Sequence, residues 1–143
     1  MLLALTATQL TIKKGNHMPK EINVEDELKK KGQTIITPVP SKNLKVATTP
    51  IVIYNGDGGG GPGEYAGSSK PGVINVHEIK VVPGGKVVAA FYQPLDNVRM
   101  LKEFNYIDVT PHPTADDDVQ LKVAGYAGSN ERLMIRITVL YTD

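Results

Sequence analysis

The chain has 143 residues, 41% hydrophobic and 22% charged, with a formal net charge of +1 and no cysteine. That length suits one domain with a real core, and the near-neutral balance provides no electrostatic pull toward nucleic acid or a membrane surface. Without cysteine there are no disulfides, thiolate metal sites or cysteine nucleophile, so stability rests on packing or on neighbouring subunits.

The first ten residues, MLLALTATQL, lack a basic n-region and are broken by threonines and Gln9. They make a poor signal peptide and are too short to span a membrane. Alternation of Leu3, Leu5 and Ala7 with Thr6 and Thr8 suits a strand or an extended arm. Lys13-Lys14-Gly15 is written in purine-rich codons compatible with an AAGG tract, and Asn16 and His17 space it from Met18. That is the layout of a bacterial ribosome-binding site, so both Met1 and Met18 stand as start points. Under the second, 1–17 lies outside the native product.

Residues 21–31 are expected to form the one convincing helix. Asn23 is a fair N-cap, with Asp26 in the capping-box position. Acids fill the first turn and lysines the last, as the helix dipole prefers. Glu25/Lys29, Asp26/Lys30 and Glu27/Lys31 are i,i+4 pairs, and Gly32 is a natural stop. The apolar face is thin (Val24, Leu28 and Ile22), so the helix is expected on the surface or docked on a partner.

Beyond residue 32 the pattern turns to β. QTIITPVP (33–40) reads as extended, with Pro38 and Pro40 keeping it off a central strand. NLKVA (43–47) and PIVIY (50–54) read as two short strands. VINVHEIKVV (73–82) places Ile74, Val76 and Glu78 on one face and Val73, Asn75, His77 and Ile79 on the other. With the turn Pro83-Gly84-Gly85 and KVVAAFYQ (86–93) it reads as a hairpin. Residues 94–104 fit a helical turn or two, or a crossing loop; YIDVT (106–110) fits a strand and PHPTADDD (111–118) a polar loop. VQLKVAGYA (119–127), GSNE and RLMIRITVLY (132–141) read as a second hairpin. In its last strand Leu133, Ile135, Ile137, Val139 and Tyr141 share one face, and Met134, Arg136, Thr138 and Leu140 the other. About seven or eight short strands, turning roughly every ten residues, predict an all-β fold, an antiparallel sandwich or partly closed barrel. The chain divides into an N-terminal arm with its helix (1–32) and a β-domain (33–143).

NGDGGGGPGEYAGSSKPG (55–72) is a long glycine-dense loop between apolar runs. Gly56 to Gly61 formally matches GxGxxG, but Pro62-Gly63 follows where a pyrophosphate-binding helix must open, and no GK[ST] is present. The alternative reading is a loop that orders against a partner, with Tyr65 as its amphipathic anchor. Asp116-Asp117-Asp118 lacks the oxygen-ligand spacing of a calcium site and reads as a solvated turn. His17, His77 and His112 lack metal-ligand spacing, and no GxSxG elbow supports a serine triad. His77 and Glu78, adjacent in a strand, point to opposite faces and do not form a dyad. Phe91, Tyr92, Arg99 and Lys102 are too few and too balanced in charge to indicate nucleic-acid binding. These features imply no catalytic residue, no cofactor and no metal.

The purine-tract leader, the arm with one short helix, the absence of cysteine, the β-body and the Gly-rich loop together resemble the accessory proteins of tailed bacteriophage virions, of the capsid decoration or cement type. The resemblance is one of layout over the whole chain. It implies a non-enzymatic structural protein on the outside of a virion, otherwise soluble, that binds and reinforces a shell of major capsid protein, often as a trimer. It implies neither nucleic acid nor membrane as partner. Under that expectation the contact residues are Val24 and Leu28 on the helix, and Gly58, Gly59, Gly60 and Tyr65 in the loop. The alternative is a β-sandwich module for carbohydrate or a cell surface, including a head-fibre or tail component, with Tyr65, Tyr92 and Tyr126 stacking on sugars.

Overall fold

Alternate side chains of the last strand, β9 (Arg132–Thr142), are sealed from water: Leu133, Ile135, Ile137 and Val139 point inward while Met134 and Arg136 point out. Such a strand needs a second layer over its apolar side. The computed structural model describes residues 7–9, 19–31, 44–56, 60–96, 98–128 and 130–143, and places two sheets face to face.

Sheet A runs β1 (Ala7–Gln9), β3 (Lys45–Asn55), β9 and β6 (Lys86–Pro94), with β4 (Glu64–Gly67) also paired to β3. Sheet B runs β2 (Lys20–Asn23), β5 (Val73–Lys80), β8 (Asp118–Gly125) and β7 (Phe104–Pro111). One α-helix, α1 (Val24–Lys31), follows β2, and a 3-10 helix, Val98–Glu103, leads into β7. Between the sheets, Ile51, Ile53, Ile135 and Ile137 of sheet A meet Ile79, Val119, Leu121 and Val123 of sheet B. Each such side chain, fully buried, is worth about 1.5–3 kcal/mol of transfer free energy. The fold is therefore an all-β sandwich; the sheets do not close into a barrel.

Both expected hairpins are absent. β5 pairs with β2 and β8, whereas β6 pairs with β9 in the opposite sheet. The turn at Pro83-Gly84-Gly85 is real, with Gly84 at φ 79° and Gly85 N–H donating to the Val82 carbonyl at 2.7 Å. But Val81 and Val82 are both buried, which requires the chain to pass through the interior edge from one sheet to the other. Likewise β8 lies in sheet B and β9 in sheet A, so GSNE bridges layers. The actual hairpin is β7–β8, closed by the polar loop of 112–117. Alternation specifies which side chains face the core, and a hairpin and a sheet-crossing arch satisfy it equally.

Of the two strands expected at 43–47 and 50–54, residues 45–47 and 50–54 belong to the single strand β3; Leu44 precedes it, and residue 43 lies outside the described residues. Pro50 sits in its middle, which a central strand tolerates only where the missing N–H is not needed. Val52 N–H donates to Gly63 O on the side away from β9, at 2.9 Å. In a strand Pro50 N faces that same side. There it falls in the gap between β1, which pairs with 46–48, and β4, which pairs with 52–55. These two pairings are parallel, against the expectation of a wholly antiparallel fold. The segment 33–40, Gly32 and most of the leader lie outside the described residues.

One corner joins the layers. After β4, Ser68 accepts from Gly125 N–H at 2.7 Å and donates its N–H to Val123 O at 3.2 Å, so the segment steps from sheet A onto sheet B. The Asn55 side chain fills this corner, buried and donating to the Glu103 carbonyl at 2.5 Å. A Cβ on Gly125 would lie 1.3 Å from Asn55 Oδ1, and one on Gly67 2.8 Å from Val123 Cγ1. We expect Gly125→Ala to destabilise the protein by about 2–3 kcal/mol through overpacking. Gly128→Ala meets open space but carries the strain of φ +80°, and should cost about 1 kcal/mol. Chemical denaturation checks the order, which reverses if the corner is loosely packed.

Candidate functional site

The outer faces of the two sheets differ in what lies over them. On sheet B, Val76, Lys122 and Asp108 stand in one cross-strand row pointing away from the core. α1 lies over this face. It forms there because Asn23 Oδ1 accepts from the N–H groups of Glu25 and Asp26 at 2.8 and 3.4 Å, capping the first turn. Glu25 and Lys29 make the expected i,i+4 contact at 3.7 Å, on the solvent side. Glu27 and Lys31 do not pair with each other. Glu27 turns inward, 5% exposed, onto the ammonium of Lys122. Lys31 reaches Asp108 at 3.4 Å and lies 5.0 Å from the centre of the Tyr106 ring. Burial, and then the nearby carboxylates of Asp108 and Glu27, hold the Tyr106 phenol far above its ordinary pKa. Ile74, Val76 and Ala124 on the same outward side are closed off from water. A charged seam thus attaches a helix that lacks an apolar face. Val24 is half-buried and Leu28 is left 54% exposed.

The outer face of sheet A is different. Its cross-strand rows are Thr142–Lys86, Val46–Leu140–Ala89, Thr48–Thr138–Phe91, Pro50–Arg136–Gln93 and Glu64–Val52–Met134. The three central rows contain no Lys, Asp or Glu, which stand only at the ends of the face, as Lys86 and Glu64. Phe91 is 48% and Met134 40% exposed, and Pro50 and Arg136 are open to solvent. Among the described residues nothing lies over these rows and Arg136 makes no ion pair. At one end Tyr54 is covered by Arg132, whose guanidinium lies 5.2 Å from its ring and pairs with Glu64. Aromatic, Met and Arg side chains with carboxylates and lysines kept to the rim are the composition of a protein–protein interface.

The glycine-rich segment is largely engaged by the protein's own body. Glu64 accepts from Gly61 N–H at 2.5 Å, and this bond, followed by Arg132, lowers the pKa of its carboxyl. Gly60 approaches Tyr54 so closely that a Cβ would lie 2.8 Å from the ring. Tyr65, expected as a partner anchor, packs half-buried on the core and meets His77 edge-on at 5.2 Å between centroids. Gly58 and Gly59 lie outside the described residues.

His77 and Asn75 face the core, and both donate to the Ala66 carbonyl, at 2.7 and 3.2 Å, tying sheet B to β4. Burial pushes the His77 pKa below its usual 6.5, so the ring is neutral. Glu78 points outward as expected, and its partner is His112, 3.0 Å away across the sheet. His112 Nδ1 already accepts from the N–H groups of Thr114 and Ala115 at 3.1 and 2.8 Å. With one nitrogen closing a turn and the other directed at Glu78, the ring acts as a clasp, and Thr114 Oγ1 sits 3.4 Å from Nδ1. Asp117 and Asp118 turn onto Lys80 at 2.8 and 3.1 Å, and the Asp117 carbonyl accepts from Val81 and Val82, so this acidic run splices the sheet crossing.

The sheet A face was visible in the sequence only as an oddity: the outward half of the last strand contains Met134 and Leu140 where a solvated strand carries charge. Comparison with protein-family models, with curated proteins and with solved structures finds no match to this chain.

Because His77 is held neutral, its contribution to stability is complete above pH 6.5 and is lost as pH falls toward its lowered folded pKa. Urea titrations from about pH 7 to 5 should show wild type losing stability faster than His77→Gln; parallel slopes would contradict the assignment. For the seam, Glu27→Ala strands Lys122 and should cost about 3 kcal/mol, whereas Glu27→Leu with Lys122→Met should return to within about 1 kcal/mol of wild type. A double-mutant cycle by denaturation reads both.

Proposed function

We propose that the protein is a non-enzymatic structural component that docks on a larger protein assembly through the outer face of sheet A. The observation that carries this reading is the asymmetry of the two faces. Sheet B is closed by a helix held on charged pairs, while sheet A presents Phe91, Leu140 and Arg136 on central rows free of Lys, Asp and Glu, with Met134 beside them in the row that ends at Glu64. A face of this make-up left to water is disfavoured unless something covers it.

The resemblance in layout to virion decoration proteins names the partner: a shell of major capsid protein, reinforced from outside. Of the contacts expected from the sequence, Leu28 remains exposed and suits a secondary contact. Tyr65 and Gly60 support the reading less, being packed on β5 and β3. A sugar-binding role draws support from Tyr126, 48% exposed. Tyr92, by contrast, packs against the core.

The test is co-sedimentation with shells assembled from the major capsid protein encoded in the same genome. Wild type should travel with the shells. Met134→Glu, on an exposed site, should keep its fold by circular dichroism and weaken binding at least about tenfold, or about 1.4 kcal/mol. Wild type remaining at the top of the gradient, with retention on a glycan array, would replace this reading with the carbohydrate one.

A further inference from the structure

Asn55 is the one asparagine in the chain that a glycine follows. Such a pair carries its own chemistry. The nitrogen of the second residue attacks the side-chain amide carbon of the first, and glycine, having no side chain, leaves that nitrogen least shielded. In this fold the reacting amide is the one that fills the corner between the sheets. Asn55 is 3% exposed. Its Nδ2 donates to the Glu103 carbonyl, and its backbone N–H donates to Glu131 O at 3.0 Å. Oδ1 is flanked by two glycines: a Cβ on Gly125 would lie 1.3 Å from it, and one on Gly67 3.2 Å. Ring closure requires the amide carbon to swing onto Gly56 N. The Glu103 bond and the two close glycines oppose that swing, and burial keeps out the water that the next step consumes.

We infer that Asn55-Gly56 is a latent self-modification site, held unreacted by the closed corner and set free to deamidate when the corner opens. In the first step Gly56 N bonds to Asn55 Cγ and the Cγ–Nδ2 bond breaks. The amide proton of Gly56 leaves with the side-chain nitrogen as ammonia. Water then opens the cyclic imide. Attack at Cγ leaves aspartate at this position; attack at the main-chain carbonyl leaves isoaspartate, with the backbone rerouted through the side chain. Neither product rebuilds the corner. Aspartate has no donor for the Glu103 carbonyl and buries a carboxylate beside it. Isoaspartate lengthens the main chain where β3 ends. A chain modified while open therefore does not return to the same packing, and the opening becomes a one-way loss. The inference does not depend on the docking reading.

Peptide mapping by mass spectrometry tests it, reading the exchange of ammonia for water at position 55. The whole protein is held in mildly alkaline buffer, either native or unfolded in urea. Conversion of wild type should be at least about tenfold faster in urea, because a protected group reacts only through the open population. In urea, where the φ of +129° at Gly56 plays no part, Gly56→Ala should slow conversion at least about threefold by shielding the attacking nitrogen. In native buffer a folded Gly125→Ala, which crowds the corner, should convert faster than wild type. Asn55→Asp, the product made genetically, should unfold at lower urea than wild type. Equal rates for wild type in native buffer and in urea would overturn the proposal. So would an unchanged rate for Gly56→Ala in urea, a folded Gly125→Ala that converts no faster than wild type, or an Asn55→Asp as stable as wild type.

Discussion

The corner where Asn55 fits against Gly125 and Gly67 sets the geometry on which the rest depends. Two twisted sheets can slide or splay unless something fixes their relative position. Here the end of β3, the end of β8, the step from β4 to Ser68 and the lead-in to β7 meet around one buried amide. The close approach requires glycine at 125 because no side chain fits. The glycine density of 55–67 is thereby partly explained by packing within the molecule, at Gly60 and Gly67 as well.

From that fixed frame the two outer faces diverge. Sheet B's rows carry Lys122, Asp108 and Glu78, and each finds an internal partner: Glu27, Lys31 and His112. Of these only Glu27–Lys122 is buried on both sides, and such a pair adds little net stability because desolvation offsets its attraction, while losing one partner is costly. The helix is located by its charges. Among the described residues the central rows of sheet A carry no such pairs and leave apolar and β-branched side chains outermost.

Fold class was legible in the sequence because period-2 burial is a local property: the inward residues of β8 and β9 could be read directly from their alternation. Topology was not. A Pro-Gly-Gly turn followed by another alternating run is compatible with a hairpin and with a crossing between layers, and the burial of both Val81 and Val82 that marks the crossing is seen only in the structure. β4 was hidden because EYAG is too short to alternate and sits in glycine-rich sequence. The inward turn of Glu27 was hidden because a helix with acids in its first turn and lysines in its last satisfies its own i,i+4 pairs on paper. His112 and Glu78 are separated by 34 residues, which only the β5–β8–β7 register brings together.

Hydroxyl-radical footprinting of the free protein against the protein in its assembly tests the central claim most directly, since Met134, Phe91 and Leu28 are all exposed enough to be modified. The account predicts strong protection of Met134 and Phe91, with Leu28 changing less. Protection concentrated on Leu28, with Met134 as reactive as in the free protein, would contradict it and move the contact surface to the helix side.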